Sequence, residues 1–150
     1  YEDTSGEFLK NSLIAEGGNV VTYEVISDDY QRIVLSLRSI QEKYRPDVIL
    51  ASGGTGPGGR DVTPEALKDV CDVLLEGMGE WLRHESGYFT PTAWLSRMGA
   101  GMMNNTLIIA LPGSLKAVTE CWQILSPVLP IALERIAKQN PGQASQRKKA

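Results

Sequence analysis

A chain of 150 residues, 42% of them hydrophobic, is long enough for one domain with its own core. Its net charge of −3 excludes a general electrostatic affinity for nucleic acid or acidic membranes, so an anionic ligand has to be held by local cations and backbone amides. No apolar run is long enough to span a bilayer and no signal peptide is visible. Cys71 and Cys121 lack metal-type spacing and are expected to be free, buried thiols of a cytoplasmic protein.

The chain opens at Tyr1 and goes straight into a helix signal, Thr4-x-x-Glu7. An α/β domain normally opens with a strand, so upstream residues are expected. The first helix is predicted over about Ser5 to Glu16, with Phe8, Leu9 and Leu13 inward and Gly17-Gly18 as its stop. The β-branched run 20–25 predicts a strand. Asp28 and Gln31 take cap and N3 positions of a second helix. Its inner face is Ile33, Leu37, Ile40 and Tyr44, and Pro46 ends it. Asp47 to Ser52 predicts the central strand. A helix over Pro64 to Glu76 follows, resuming near Glu80 to Ser86. Thr92 to Met98 and Asn105 to Leu111 predict two extended segments around a glycine-containing turn. Of these, 107–111 is a continuous apolar run, expected of a fully buried strand. Ser114 is the expected N-cap of the next helix, interrupted at Pro127 and restarting through about Lys138. Residues 1–138 thus form one domain and 139–150 a polar, disordered tail.

The most informative segment is Ser52-Gly53-Gly54-Thr55-Gly56-Pro57-Gly58-Gly59-Arg60-Asp61-Val62-Thr63-Pro64-Glu65. Five glycines in seven residues follow a strand and precede a helix. Their N–H groups can point into one concavity and hold a phosphate. Such a stretch loses much entropy on folding, so a merely loose turn is the poorer account. Gly54-x-Gly56-x-x-Gly59 has dinucleotide-fingerprint spacing, but its helix starts too late, and no Gly-Lys-Ser/Thr makes it a P-loop. Asp61 is free to hold Mg²⁺ or position a phosphate if Thr63 caps the helix. Asp28 is either a plain cap or a second carboxylate at the same cleft. Ser114 and Lys116 mark a second anion site, against the plainer reading of a cap and a solvated lysine. Ser96-Arg97 alone is uninformative. His84, the only histidine, argues against triads and histidine metal sites and is expected on a helix surface. Trp81, Trp94 and Trp122 are expected in a core or an interface. Both glycine turns follow strands and are expected at one sheet edge.

Gly53-Gly54-Thr55-Gly56 with Arg60-Asp61-Val62-Thr63-Pro64-Glu65-Ala66 resembles the signature of the molybdenum-cofactor biosynthesis family, which includes the Mog and MoaB proteins and the gephyrin G domain. Tyr1, Asp3 and Gly6, Gly79-Glu80, Pro91-Thr92, Leu95-Ser96-Arg97 and Leu111-Pro112-Gly113-Ser114 with Lys116 extend the similarity over most of the chain. The resemblance implies a three-layer α/β fold, a mostly parallel sheet flanked by helices with a small hairpin, its first strand and Ser-Asp-Arg loop missing here. It implies adenylyl transfer from ATP to molybdopterin with Mg²⁺ and release of pyrophosphate. Asp61 and Asp28 would be the catalytic carboxylates, with Asp61 on the metal. Gly53, Gly54, Thr55, Gly56, Arg60, Ser96, Gly113, Ser114 and Lys116 would bind substrates. A homotrimer and a molybdate-insertase partner are also implied. The alternatives are a molybdopterin-binding protein of the MoaB kind without strong catalysis, and a nucleotide hydrolase like the CinA domain.

Overall fold

A computed structural model describes residues 2–139. The expected polar tail lies outside them, except for Gln139. Helix α1 (Thr4–Ala15) is capped by Asp3, whose carboxylate accepts from the amide of Gly6 at 3.0 Å. The cap is therefore one residue earlier than Thr4. Leu9 is buried, with Phe8 and Leu13 packed beside it. Helix α2 (Tyr30–Tyr44) buries Ile33, Val34 and Leu37 and ends at Arg45 in the left-handed region, one residue before Pro46. Strand β1 (Val48–Ser52) leads to the glycine loop, and helix α3 (Thr63–Val70) leaves it.

From here the structure departs from the expected long helix. Helix α3 stops at Val70, and strand β2 (Val73–Leu74) pairs antiparallel with strand β3 (Gly99–Met103). Helix α4 (Glu76–Ser86) then runs through both Gly77 and Gly79. Gly79 is needed there for a close approach, since a Cβ would stand 2.8 Å from the carbonyl oxygen of Met98. The expected extended segment 92–98 is instead a 3₁₀ helix over Pro91–Leu95. The hairpin turns at Asn104, in the left-handed region with φ 53°, rather than at the glycines, which lie inside β3. Asparagine tolerates that conformation better than most residues.

Strand β4 (Thr106–Leu111) is the centre of the molecule, with every residue buried. It pairs parallel with β1 and antiparallel with β3, and the order is β1-β4-β3-β2. The α/β layering stands as expected, and the described sheet is mixed. Strand alternation splits β4 between two cores. Leu107, Ile109 and Leu111 face α1, α4, helix α5 (Leu115–Leu125) and helix α6 (Leu129–Gln139), while Ile108 and Ala110 face α2 and α3. Each large aliphatic so buried contributes about 1.5–3 kcal/mol. Helix α6 begins at Leu129, three residues beyond Ser126, with Pro130 in its first turn. Trp122 is buried, Trp81 packs against the core, and Trp94 is exposed.

Residues 20–25 do not join the sheet. A groove of about 1830 Å³ is lined by Val21, Tyr23 and Val25 of this stretch and by Val48 and Leu50 of β1, the edge strand of the sheet. β-Propensity is realised only against a neighbouring strand, and this stretch has none alongside it among the described residues.

Candidate functional site: two loops at the carboxyl ends of parallel strands

Strands β1 and β4 run parallel, so the loops that follow them emerge at the same edge. The amide of Gly53 donates to the carbonyl oxygen of Leu111 at 2.9 Å, extending the ladder one step past Ser52. The chain then turns through Gly53 and Gly54 at φ 102° and 69°, where glycine is the natural choice. A Cβ on Gly54 would stand 2.4 Å from the hydroxyl of Thr63. That hydroxyl donates to the carbonyl of Gly53 at 2.8 Å, and the amide of Thr63 donates to the carbonyl of Gly54 at 3.1 Å. Thr63 is the first helical residue, and α3 has no side-chain cap. The expectation that Thr63 caps α3 is thus corrected: its hydroxyl closes the glycine loop instead.

The second loop lies against the first. A Cβ on Gly113 would stand 3.1 Å from the Cα of Gly53. Ser5, at the start of α1, donates to the carbonyl of Gly113 at 2.7 Å. Ser114 is the N-cap of α5 as expected, its hydroxyl accepting from the amide of Ala117 at 3.2 Å. Lys116, in the first turn, is exposed. A capped helix start with an adjacent ammonium suits an anion.

The carboxylate of Asp61 folds back over the glycines. It accepts from the amide of Gly58 at 3.2 Å, and a Cβ on Gly56 would stand 2.8 Å from it. Thr55 is buried, and its hydroxyl pairs with that of Ser96 at 3.2 Å. Arg60 is exposed at the tip. The residue that organises this arrangement is Arg97, which the sequence left as uninformative. Its Nε donates to the carbonyl of Gly56 at 3.0 Å and its Nη2 to the carbonyl of Asp61 at 2.6 Å. Its amide donates to the carbonyl of Thr55 at 2.6 Å, and its guanidinium pairs with Glu65. That pairing, chiefly the hydrogen bond from Arg97, holds the Glu65 carboxyl below its ordinary value. A basic residue next to Ser96 and after an apolar turn was the only available signal.

Asp28 is exposed and is not the cap of α2. Asp29 fills that role, accepting from the amide of Arg32 at 3.0 Å. Asp28 instead lines the large groove together with Gly53, Gly54 and Gly113. It makes no hydrogen bond to Asp61. Among the described residues no group of three metal-ligating side chains occurs. A single loop carboxylate beside phosphate-binding amides is still a donor set that fits Mg²⁺, which binds through one or two carboxylates plus substrate phosphates. His84 is exposed, edge-on to Tyr88 and Trp94. Cys121 is buried and Cys71 partly so. Burial first, then the charge of Asp72, pushes the Cys71 thiol up to about 11.

These features have counterparts in known proteins. A family described as "Probable molybdopterin binding domain" matches residues 1–131. A molybdopterin adenylyltransferase of Helicobacter pylori (strain J99) is 41% identical over 138 residues, covering 91% of this chain and 78% of that protein. The crystal structure of the molybdopterin biosynthesis enzyme MoaB from Thermus thermophilus superposes with a TM-score of 0.84 at 36% identity, covering 92% of this chain and 87% of that one. The Mog protein of Mycobacterium ulcerans superposes with a TM-score of 0.85 at 32% identity, covering 91% and 89%. The chain belongs to the molybdenum-cofactor biosynthesis family of molybdopterin-binding domains.

Proposed function

We propose that this protein transfers an adenylyl group from ATP to molybdopterin. The observation that carries the proposal is the contact of the two glycine turns, Gly53-Gly54 and Gly113, at the carboxyl ends of adjacent parallel strands. Two phosphorylated substrates need two neighbouring anion sites, and two glycine turns in contact at one edge support that reading. The name of the Helicobacter relative supports the same activity.

A terminal phosphate oxygen of molybdopterin attacks the α-phosphorus of ATP. The bond from that phosphorus to the bridging oxygen breaks, and pyrophosphate leaves with the electron pair. The attacking oxygen is already ionised, so no histidine base is required. Such displacements depend mainly on positioning and charge neutralisation. Backbone amides of Gly54, Thr55, Gly56 and Gly59 and the α5 start with Ser114 and Lys116 hold the phosphates. Thr55 and Ser96 supply hydroxyls, Arg60 a cation, and Arg97 keeps the loop in shape. Asp61, with Asp28 on the flank, would hold Mg²⁺, which neutralises charge on the transferred and leaving phosphates when bound.

A cytoplasmic homotrimer that hands its product to a molybdate-insertase protein completes the proposal. The test is pyrophosphate release from ATP. Release should require both molybdopterin and Mg²⁺, and Asp61→Ala should lower it by about a hundredfold or more with the circular dichroism spectrum unchanged. Molybdopterin binding without any pyrophosphate release would replace the enzyme with a carrier. Sedimentation equilibrium reads the trimer.

A further inference from the structure

Beside the loops lies a second, smaller cavity of about 220 Å³. Its lining includes Ser96, Ser114 and Lys116, the anion-binding residues proposed above. The lining also includes Thr90 and Glu120, to which the mechanism gives no task. Lys116 and Glu120 are four residues apart on α5 and therefore share one helix face. They form no ion pair with each other. The hydroxyl of Thr90 holds the Glu120 carboxylate, donating to its two oxygens at 3.2 and 3.4 Å. Thr90 is itself fixed, its amide donating to the carbonyl of Ser86 at 2.9 Å and its carbonyl accepting from the amide of Ala93 at 2.9 Å. The cavity therefore combines a cation that suits an anion with an oriented pair of acceptor oxygens.

We infer that Glu120, positioned by Thr90, reads the donor edge of the pterin ring of molybdopterin and makes this cavity the ring subsite. The inference rests on the function proposed above and adds which residue selects the substrate. A 2-amino-4-oxopteridine presents two adjacent N–H donors, from the ring nitrogen and the exocyclic amine. A carboxylate accepts both side by side, in the manner of a carboxylate facing a guanidinium. The adenine of ATP has no such adjacent pair, so this cavity discriminates between the two substrates. Its volume, below the range of about 300–1,000 Å³ usual for drug-sized ligands, suits one fused ring and not a whole nucleotide.

The test compares pterin with lumazine, which carries a carbonyl where pterin carries the amine, as competitors of molybdopterin. The wild-type protein should bind pterin at least about tenfold more tightly, equivalent to about 1.4 kcal/mol. Glu120→Gln should erase that preference and raise the KM for molybdopterin by a similar factor, leaving the KM for ATP within about twofold. Thr90→Val should weaken the preference in part. Equal binding of both rings by the wild type, a preference that survives Glu120→Gln, or no binding of either ring would each overturn the inference. Fluorescence titration of the two rings needs no turnover. A protein that fails to release pyrophosphate yet distinguishes them would defeat the adenylyltransferase proposal and leave the ring subsite standing.

Discussion

Gly53 and Gly113 stand back to back, with the Cα of Gly53 only 3.1 Å from where a Cβ on Gly113 would lie. The atom in the way is backbone, so no side chain can swing aside. Gly113→Ala has to push the two loops apart. Forcing one methyl into such a contact costs about 1–3 kcal/mol. The melting temperature should fall by several degrees, and the KM values for both phosphorylated substrates should rise together. Gly77→Ala is the opposite case. It lies in helix α4, where a Cβ meets nothing within 4 Å. It should raise stability by about 0.5–1 kcal/mol and leave turnover unchanged. Thermal melts and steady-state kinetics on the two variants separate a packing constraint from mere helix propensity.

Arg97 supports a different prediction. Its planar fork reaches the carbonyl oxygens of Gly56 and Asp61 at once, and an ammonium cannot reproduce that geometry. Arg97→Lys should keep the fold and lower kcat/KM by about tenfold or more, the scale of one or two lost charge-assisted hydrogen bonds. Its ion pair with Glu65 is more than a third exposed on both sides. A double-mutant cycle between the two should therefore give a coupling of only about 0.2–1 kcal/mol. Coupling much above that would move the weight of Arg97 from the loop to the ion pair.

Local signals made half of this site legible. The β4 run, the glycine loop and the Ser114 cap are each written in a few consecutive residues, and all three stand where the sequence placed them. Arg97 was not legible because it acts on backbone carbonyls, Gly56 among them, 41 residues away. Carbonyls carry no sequence signature. The run 20–25 reads as a strand by composition, yet strand formation depends on a partner edge that composition does not describe. Leu74 was lost to a helix because α3 and α4 are separated by only a short, mostly apolar stretch, and helical periodicity bridges the gap. Gly101 shows why β3 carries a glycine within the strand: a Cβ there would lie 2.6 Å from the sulfur of Cys71.

Asp28 and Asp29 are neighbours in different surroundings. The Asp29 carboxylate accepts from the amide of Arg32 and closes the start of α2. Asp28 is exposed at the groove that Gly53 and Gly54 also line. Asp29→Ala should lower stability by about 1 kcal/mol, the usual loss of a side-chain cap. Asp28→Ala should shift stability by no more than about 0.5 kcal/mol and instead raise the Mg²⁺ concentration needed for half-maximal turnover. If the stability loss falls on Asp28 and the metal dependence on Asp29, the one-residue assignment is wrong.

Glu65 gives the pH dependence of the loop a definite sign. Its ordinary value is near 4.5, and the folded protein lowers it, first through the hydrogen bond from Arg97. The folded state therefore prefers the ionised carboxylate more strongly than the unfolded chain does. The stabilisation is complete above the ordinary value and is lost as pH falls through the lower folded value. Wild type should melt slightly above Glu65→Gln at pH 7. The gap should close below about pH 4.5, and its size should be small because the pair is half in solvent and screened by salt. Melting curves from pH 3 to 8 at low and high salt test both points. A gap that does not narrow as pH falls below about 4.5 would show that the Arg97 contact does not depend on the charge of Glu65.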